Sequence, residues 1–71
     1  MLLGKKIETL RKNRNLSYRK LAEICEIPSH SYIRNIETGI VDDPGLRTII
    51  KLAKGFDLTV GELLEDVEVR D

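Results

Sequence analysis

The segment from Leu16 to Gly39, LSYRKLAEICEIPSHSYIRNIETG, constrains the fold more than any other part of the chain. Because proline cannot lie inside a helix, the chain has to turn at Pro28. On either side of the turn, apolar residues recur at helical spacing. This pattern predicts one short helix from Tyr18 to Cys25, with Ser17 as its N-cap, and another that begins with Ser29 as its N-cap and runs to about Thr38. The segment is therefore two short helices joined by a tight turn.

The rest of the chain also shows helical patterns and no sustained strand alternation. Residues 2–13 form a first amphipathic helix that ends at Asn15. Asp43 and Pro44 are predicted to be the N-cap and first residue of a fourth helix. Thr59 and Glu62 form a capping box for a fifth. We expect the second to fifth helices to pack through their apolar faces. The residues on these faces are Leu21, Ala22, Ile24, Cys25, Ile33, Ile36, Leu46, Ile49, Ile50, Ala53, Phe56, Val60, Leu63, Leu64 and Val67. The predicted fold class is therefore all-α with five helices.

Length and composition support one domain. The chain has 71 residues, of which 41% are hydrophobic, so a small aliphatic core is possible. We expect the folded part of the domain to span residues 3–65. The tail over 67–71 is expected to fray, extend the fifth helix or pair as a short strand. A single cysteine, no apolar leader and no membrane-length apolar run predict a soluble, cytoplasmic protein without a membrane partner.

Charge is distributed unevenly although the net charge is zero. Residues 1–36 carry eight Lys and Arg against three acids, a net charge of +5. Residues 37–71 carry four basic residues against nine acids, a net charge of −5. A chain with this polarity can present a basic face to phosphates while remaining neutral overall. The basic half contains the helix pair.

The outer face of the third predicted helix is suited to hydrogen bonding. If Ile33 and Ile36 mark its buried side, the opposite side carries Ser31, Arg34, Asn35 and Thr38, with His30 and Tyr32 at its edges. Arginine can bind guanine through two hydrogen bonds and asparagine can do the same for adenine, each worth about 1–3 kcal/mol of discrimination. A short helix, a tight turn and a second helix with such a face is the arrangement that enters the major groove of DNA.

Other kinds of site find little support. The chain has one histidine and one cysteine, so it cannot form a zinc site of normal composition, and we expect no metal and no cofactor. No Ser-His-acid or Cys-His set is available for nucleophilic catalysis, and an enzyme is the least favoured class. Cys25 is interpreted as a small buried apolar residue.

Four segments, in order and with the last covering two helices, resemble the Cro/C1-type helix-turn-helix (XRE) family, the lambda-repressor-like DNA-binding domains. The resemblance covers residues 3–65 and rests on GKKIETLRKNRNLS, YRKLAEICEI, SHSYIRNIETG and LRTIIKLAKGFDLTVGELL. It implies five compact helices, with the second and third forming the helix-turn-helix. It also implies binding of double-stranded DNA through the third helix and transcriptional control, here expected as repression by a symmetric homodimer.

The resemblance also implies roles for individual residues. Base contacts are expected from His30, Ser31, Arg34 and Asn35. Phosphate contacts are expected from Tyr18, Arg19, Ser29, Tyr32 and Thr38. Arg11 and Glu37 are expected to form a partly buried structural ion pair. The exposed remainder of the fifth helix, with Val67 and Val69, is the predicted dimer surface.

The chain departs from the family pattern at three places. Tyr18 replaces a glutamine that contacts phosphate and braces the recognition helix, and a tyrosine cannot brace as an amide does. Glu26 replaces the usual glycine of the turn, and the segment from Ala22 to Ile33 is one residue longer, with Pro28 as the extra residue. The connection at Asp42 and Asp43 is acidic where DNA backbone would approach. Tyr18, the acidic connection and the zero net charge keep open a protein-interaction module of this fold with weak or no DNA binding. Three family roles of a lone domain with no sensor also stay open: a phage-type repressor, a restriction-modification controller, or an antitoxin with a toxin as partner.

Overall fold

Five helices make up the computed structural model, which describes residues 1–68. Their bounds are α1 Leu3–Asn13, α2 Tyr18–Ile24, α3 His30–Glu37, α4 Leu46–Gly55 and α5 Val60–Leu64. No strand occurs within the described residues. The all-α prediction with five helices is confirmed.

The core contains side chains from all five helices. α3 packs against both α1 and α2, and α4 packs against α5. Phe56 is the largest fully buried side chain and follows directly after α4. Burying a large apolar side chain stabilises a fold by about 1.5–3 kcal/mol. The buried side chains are Ile7, Leu21, Ala22, Cys25, Ile27, Ile33, Ile36, Ile49, Leu52, Ala53, Phe56 and Leu63.

Local signals set several helix ends as predicted. Asn15 follows α1 with a left-handed φ of 55°, a conformation that asparagine tolerates. Ser17 precedes α2, and its side chain accepts a hydrogen bond from the backbone amide of Lys20 at 3.0 Å. At α5, Thr59 and Glu62 form both hydrogen bonds of the capping box. These three ends are determined by residues close together in sequence.

The predicted start of α4 is wrong. The helix begins at Leu46, and its N-cap is Gly45 with φ 87°. Pro44 instead lies in the connection, where its carbonyl accepts a hydrogen bond from the Tyr32 hydroxyl at 3.3 Å. This contact and the left-handed glycine end the connection two residues later than the Asp-Pro pattern predicts. Asp43 is exposed and caps no helix.

Four residues predicted to be buried are exposed. Leu46 is 69%, Ile24 42%, Ile50 38% and Leu64 36% exposed. Helical spacing places Leu46 and Ile50 one turn apart, but the buried face of α4 is the one that carries Ile49, Leu52 and Ala53. An apolar patch on α2 and α4 therefore faces solvent.

The C-terminal part of the described chain meets the N-terminus. α5 ends at Leu64, so Val67 lies beyond the helix and the prediction that it continues the α5 face is wrong. The Met1 amino group donates to the Asp66 carbonyl, and the Glu68 amide donates to the Met1 carbonyl at 2.8 Å. Val69 and the rest of the tail lie outside the described residues. Within residues 1–68, none of the helices has the length and apolar character needed to cross a bilayer.

Candidate nucleic-acid interface

α3 is held on one side and open on the other. Ile33 and Ile36 fix its inner face in the core. His30, Ser31 and Arg34 are exposed on the outer face, and Arg34 forms no ion pair within residues 1–68. This arrangement leaves donors and acceptors available to an external ligand.

The start of α3 has an uncommitted hydroxyl. Ser29 occupies the N-cap position with extended backbone, as predicted, but its side chain forms no capping hydrogen bond. The Ser29 carbonyl accepts a hydrogen bond from the Tyr32 amide at 3.3 Å. Helix N-termini favour anions because their amides point outward and the helix dipole is positive there. Ser29 therefore lies where its hydroxyl can add to that attraction.

Two of the predicted phosphate-binding hydroxyls already have partners. Tyr32 Oη donates to the Pro44 carbonyl at 3.3 Å. Thr38 Oγ1 donates to the Arg34 carbonyl at 2.9 Å at the C-terminal end of α3. A phosphate oxygen needs a donor, and each hydroxyl has only one proton. In this structure both side chains hold neighbouring backbone in place.

An ion pair fixes the C-terminal end of α3 to α1. Arg11 Nε donates to Glu37 Oε2 at 2.7 Å, and Arg11 Nη2 donates to Glu37 Oε1 at 3.1 Å. The two side chains are 11% and 1% exposed. The Glu37 hydrogen bond is the main cause that raises the pKa of Arg11, so the guanidinium remains charged. A planar two-point contact of this kind gives orientation as well as attraction.

Tyr18 completes this brace through its ring. The Arg11 guanidinium lies over the Tyr18 ring, with 4.2 Å from Cζ to the ring centroid. Arg11 Nη1 also donates to the Leu16 carbonyl at 2.8 Å, just before α2. α2 is thereby connected to the end of α3 through Arg11. Tyr18 therefore braces through its aromatic face and the Arg11 cation, not through a hydrogen bond as an amide would.

The turn between α2 and α3 contains a residue in the left-handed conformation that is not glycine. Glu26 has φ 57°, a conformation in which any residue with a Cβ is strained. The Ile27 amide returns to the Ala22 carbonyl at 2.8 Å, and the Ile27 side chain is buried. Lys51 Nζ reaches across from α4 to the Glu26 carbonyl at 3.3 Å. The extra residue, Pro28, is exposed after this turn.

A cleft of about 400 Å³ lies between α3 and α4. Ser31 and Asn35 line one side, and Thr48 and Lys51 line the other. The sequence interpretation missed Lys51 because it counted the second half of the chain as acidic. The signal was the spacing of Arg47, Lys51 and Lys54, which helical geometry places along one face of α4.

Comparison with known families supports the same arrangement. A family model described as Helix-turn-helix (HTH_3) matches residues 7–63, which include all of α2, the turn and α3. This chain belongs to the Cro/C1-type helix-turn-helix family. The family is one of DNA-binding domains, usually of transcription regulators, and is not enzymatic. No curated protein matches the chain significantly.

The Cys25 thiol and the possible metal ligands of the domain also bear on whether it contains a reactive site. Burial raises the pKa of the Cys25 thiol to about 11, so the reactive thiolate is scarce at neutral pH. Within residues 1–68, no group of three His, Cys, Asp or Glu side chains is placed to hold a metal ion.

Proposed function

We propose that this domain is a sequence-specific transcriptional repressor that places α3 in the major groove of double-stranded DNA. The observation that carries the proposal is the exposure of His30, Ser31 and Arg34 on a helix whose other face is fixed in the core. Base edges in the major groove differ in their donors and acceptors, and this set offers both. A DNA ligand also agrees with the predicted cytoplasmic location.

Within this proposal, individual residues take different roles. His30, Ser31, Arg34 and Asn35 read bases, and Arg34 binds guanine through two hydrogen bonds. Tyr18, Arg19 and Ser29 contact phosphate near the starts of α2 and α3. Tyr32 and Thr38, which the sequence assigned to phosphate, instead keep their backbone partners and fix the position of α3.

We further propose a homodimer, because one such domain covers only half of a site. Exposed apolar side chains near the chain ends favour this region as the dimer surface. Leu64 is exposed at the end of α5, and Met1, whose amino group donates to the Asp66 carbonyl, is also exposed. Sedimentation equilibrium should show a dimer at high micromolar concentration. A monomer under those conditions would contradict this part of the proposal.

The DNA-binding proposal is tested by selection from a pool of random duplexes. The enriched duplex and a scrambled version are then titrated by fluorescence anisotropy at several salt concentrations. We expect an enriched sequence with half-sites about one helical turn apart, and binding that weakens linearly in log–log form with salt. The absence of enrichment, with no binding at low salt, would favour the interaction module or antitoxin alternative.

Matched variants separate base reading from general attraction. Arg34→Glu should reduce affinity for the selected duplex by at least about 100-fold, since it replaces an attraction at the groove with a repulsion. Lys54→Glu makes the same charge change near the far end of α4 and should leave specificity intact. Asn35→Ala should reduce the preference for the selected over the scrambled duplex, whereas Arg19→Ala should weaken both equally. Equal effects of Arg34→Glu and Lys54→Glu would contradict the assignment of α3.

A further inference from the structure

A second groove adjoins the cleft between α3 and α4, since Lys51 lines both, but it contains no residue of α3. It has a volume of about 260 Å³ and is formed by the end of α2 and the outer face of α4. Its apolar residues are Ile24 and Ile50, which are 42% and 38% exposed. Leu46, one turn before Ile50 on α4, extends the same apolar stripe. Clustered exposed apolar side chains on a small domain indicate an interaction surface.

The polar residues of this groove are mostly cationic. Arg47 and Lys54 line it, and neither forms an ion pair within residues 1–68. Lys51 also lines it, and its ammonium group donates a hydrogen bond to the Glu26 carbonyl. The Glu26 side chain is the one acid among the residues that line the groove. A ligand for this surface therefore needs negative charge together with apolar side chains.

From this combination we infer that the α2–α4 groove binds an acidic peptide segment of another protein, with one or two apolar side chains of that segment against Ile24 and Ile50. A second copy of this chain related by a two-fold axis would bring the cations of the groove against themselves. DNA would satisfy Arg47 and Lys54 but would leave the isoleucines against phosphate. The inference does not depend on the proposed DNA function.

The test uses the full chain labelled with ¹⁵N and ¹³C-methyl isoleucine, titrated with a synthetic peptide of alternating Glu, Asp, Leu and Phe residues. We expect shifts concentrated at Ile24, Arg47, Ile50 and Lys54, with a dissociation constant of about 10–100 µM, typical of a small interface. The Gln/Asn version of the peptide should bind about tenfold more weakly, because complementary charge contributes to recognition.

Two pairs of variants keep the result interpretable. Ile50→Glu should abolish peptide binding, whereas Ile40→Glu, at an isoleucine that is 75% exposed outside the groove, should not. Lys54→Glu should also weaken peptide binding, whereas Arg34→Glu on α3 should leave it unchanged. Because all four side chains are exposed, circular dichroism should show folded variants.

Three outcomes would overturn the inference. One is the absence of shifts at about 1 mM peptide, beyond the range of a weak specific contact. Another is shifts spread over all basic residues, which would indicate unspecific attraction. The third is displacement of the same groove shifts by duplex DNA with no effect of Ile50→Glu, which would assign the groove to nucleic acid. Failure here with intact duplex binding would leave the proposed function standing.

Discussion

At the scale of single residues, the turn of the helix-turn-helix shows a compromise between local strain and tertiary contacts. Glu26 adopts φ 57°, where a side chain costs about 1–2 kcal/mol relative to glycine. The conformation persists because Ile27 is buried directly after it and Lys51 binds its carbonyl. The sequence shows that Glu26 replaces the glycine usual in this turn. It does not show that Glu26 adopts the left-handed conformation, because that depends on the contact with α4.

Replacing Glu26 with glycine should raise the free energy of unfolding by about 1 kcal/mol, because glycine adopts this conformation without strain. Urea unfolding followed by circular dichroism measures the change. Glu23→Gly is the matched control: it lies inside α2 and should lower the free energy of unfolding by about 1 kcal/mol. Destabilisation by both substitutions would show that the Glu26 side chain contributes more than its strain costs.

At the scale of helices, two contacts fix α3 relative to its neighbours. One is the brace of Tyr18, Arg11 and Glu37, which connects α2 and α1 to the end of α3. The other is the close approach of α1 at Gly4, where a Cβ atom would overlap the Ile36 carbonyl oxygen and lie 2.9 Å from that of Glu37. Both contacts determine the angle at which α3 leaves the core.

Tyr18→Leu should destabilise the fold by about 1 kcal/mol, because leucine keeps apolar contact but loses the interaction of the ring with Arg11. Tyr18→Phe keeps the ring and should be close to neutral in stability. Thermal and urea unfolding of the two variants give the comparison. If Tyr18→Phe is instead as destabilised as Tyr18→Leu, the hydroxyl rather than the ring would carry the effect.

Gly4→Ala should destabilise the fold by about 1–3 kcal/mol, since the added methyl group forces α1 away from the backbone of α3. Gly61→Ala provides the comparison on α5. There the nearest heavy atom to an added Cβ is Thr59 Oγ1 at 3.8 Å, and alanine favours the helix. That variant should therefore be stabilised by up to about 1 kcal/mol. Amide hydrogen exchange in α3 should increase in Gly4→Ala only.

Helix ends and helix contacts differ in how far the sequence predicts them. Asn15, Ser17 and the Thr59–Glu62 box were predictable because each acts on backbone within three residues. The start of α4 was not, because it depends on the bond between Tyr32 and Pro44. The stacking of Tyr18 on Arg11 was missed for the same reason: the two residues lie on different helices.

At the scale of the whole molecule, the charges in the structure do not follow the division of the sequence into a basic and an acidic half. The cations of α4, Arg47, Lys51 and Lys54, belong to the acidic half of the sequence but form a basic face in the structure. Hydrophobic spacing correctly gave the number of helices. It could not say which apolar residues the neighbouring helices leave uncovered, and so it placed Ile24 and Ile50 in the core.

Acid should destabilise the domain through its paired carboxylates. The Thr59 amide and hydroxyl lower the pKa of Glu62, and Lys5 and Lys12 lower the pKa of Glu8, both from 4.5. A carboxyl whose pKa is lower in the folded state stabilises the fold above its unfolded pKa, and this contribution is lost as pH falls through the folded value. Urea unfolding between about pH 7 and pH 3 should therefore show falling stability below about pH 4.5.

Glu62→Gln should flatten part of this acid dependence while keeping a hydrogen bond to the Thr59 amide. Glu68→Gln, at an exposed glutamate near the end of the described chain, is the control and should leave the slope unchanged. A slope that Glu62→Gln does not alter would exclude the capping box as a source of the acid sensitivity.

The hydrogen bond between the Glu68 amide and the Met1 carbonyl makes the described chain almost a closed ring. A short covalent link between these ends would leave the folded state nearly unchanged. It would restrict mainly the unfolded chain, where closing a loop of this length removes entropy worth about 4 kcal/mol. The topology of the domain is therefore compatible with a circular polypeptide in which the five helices keep their packing.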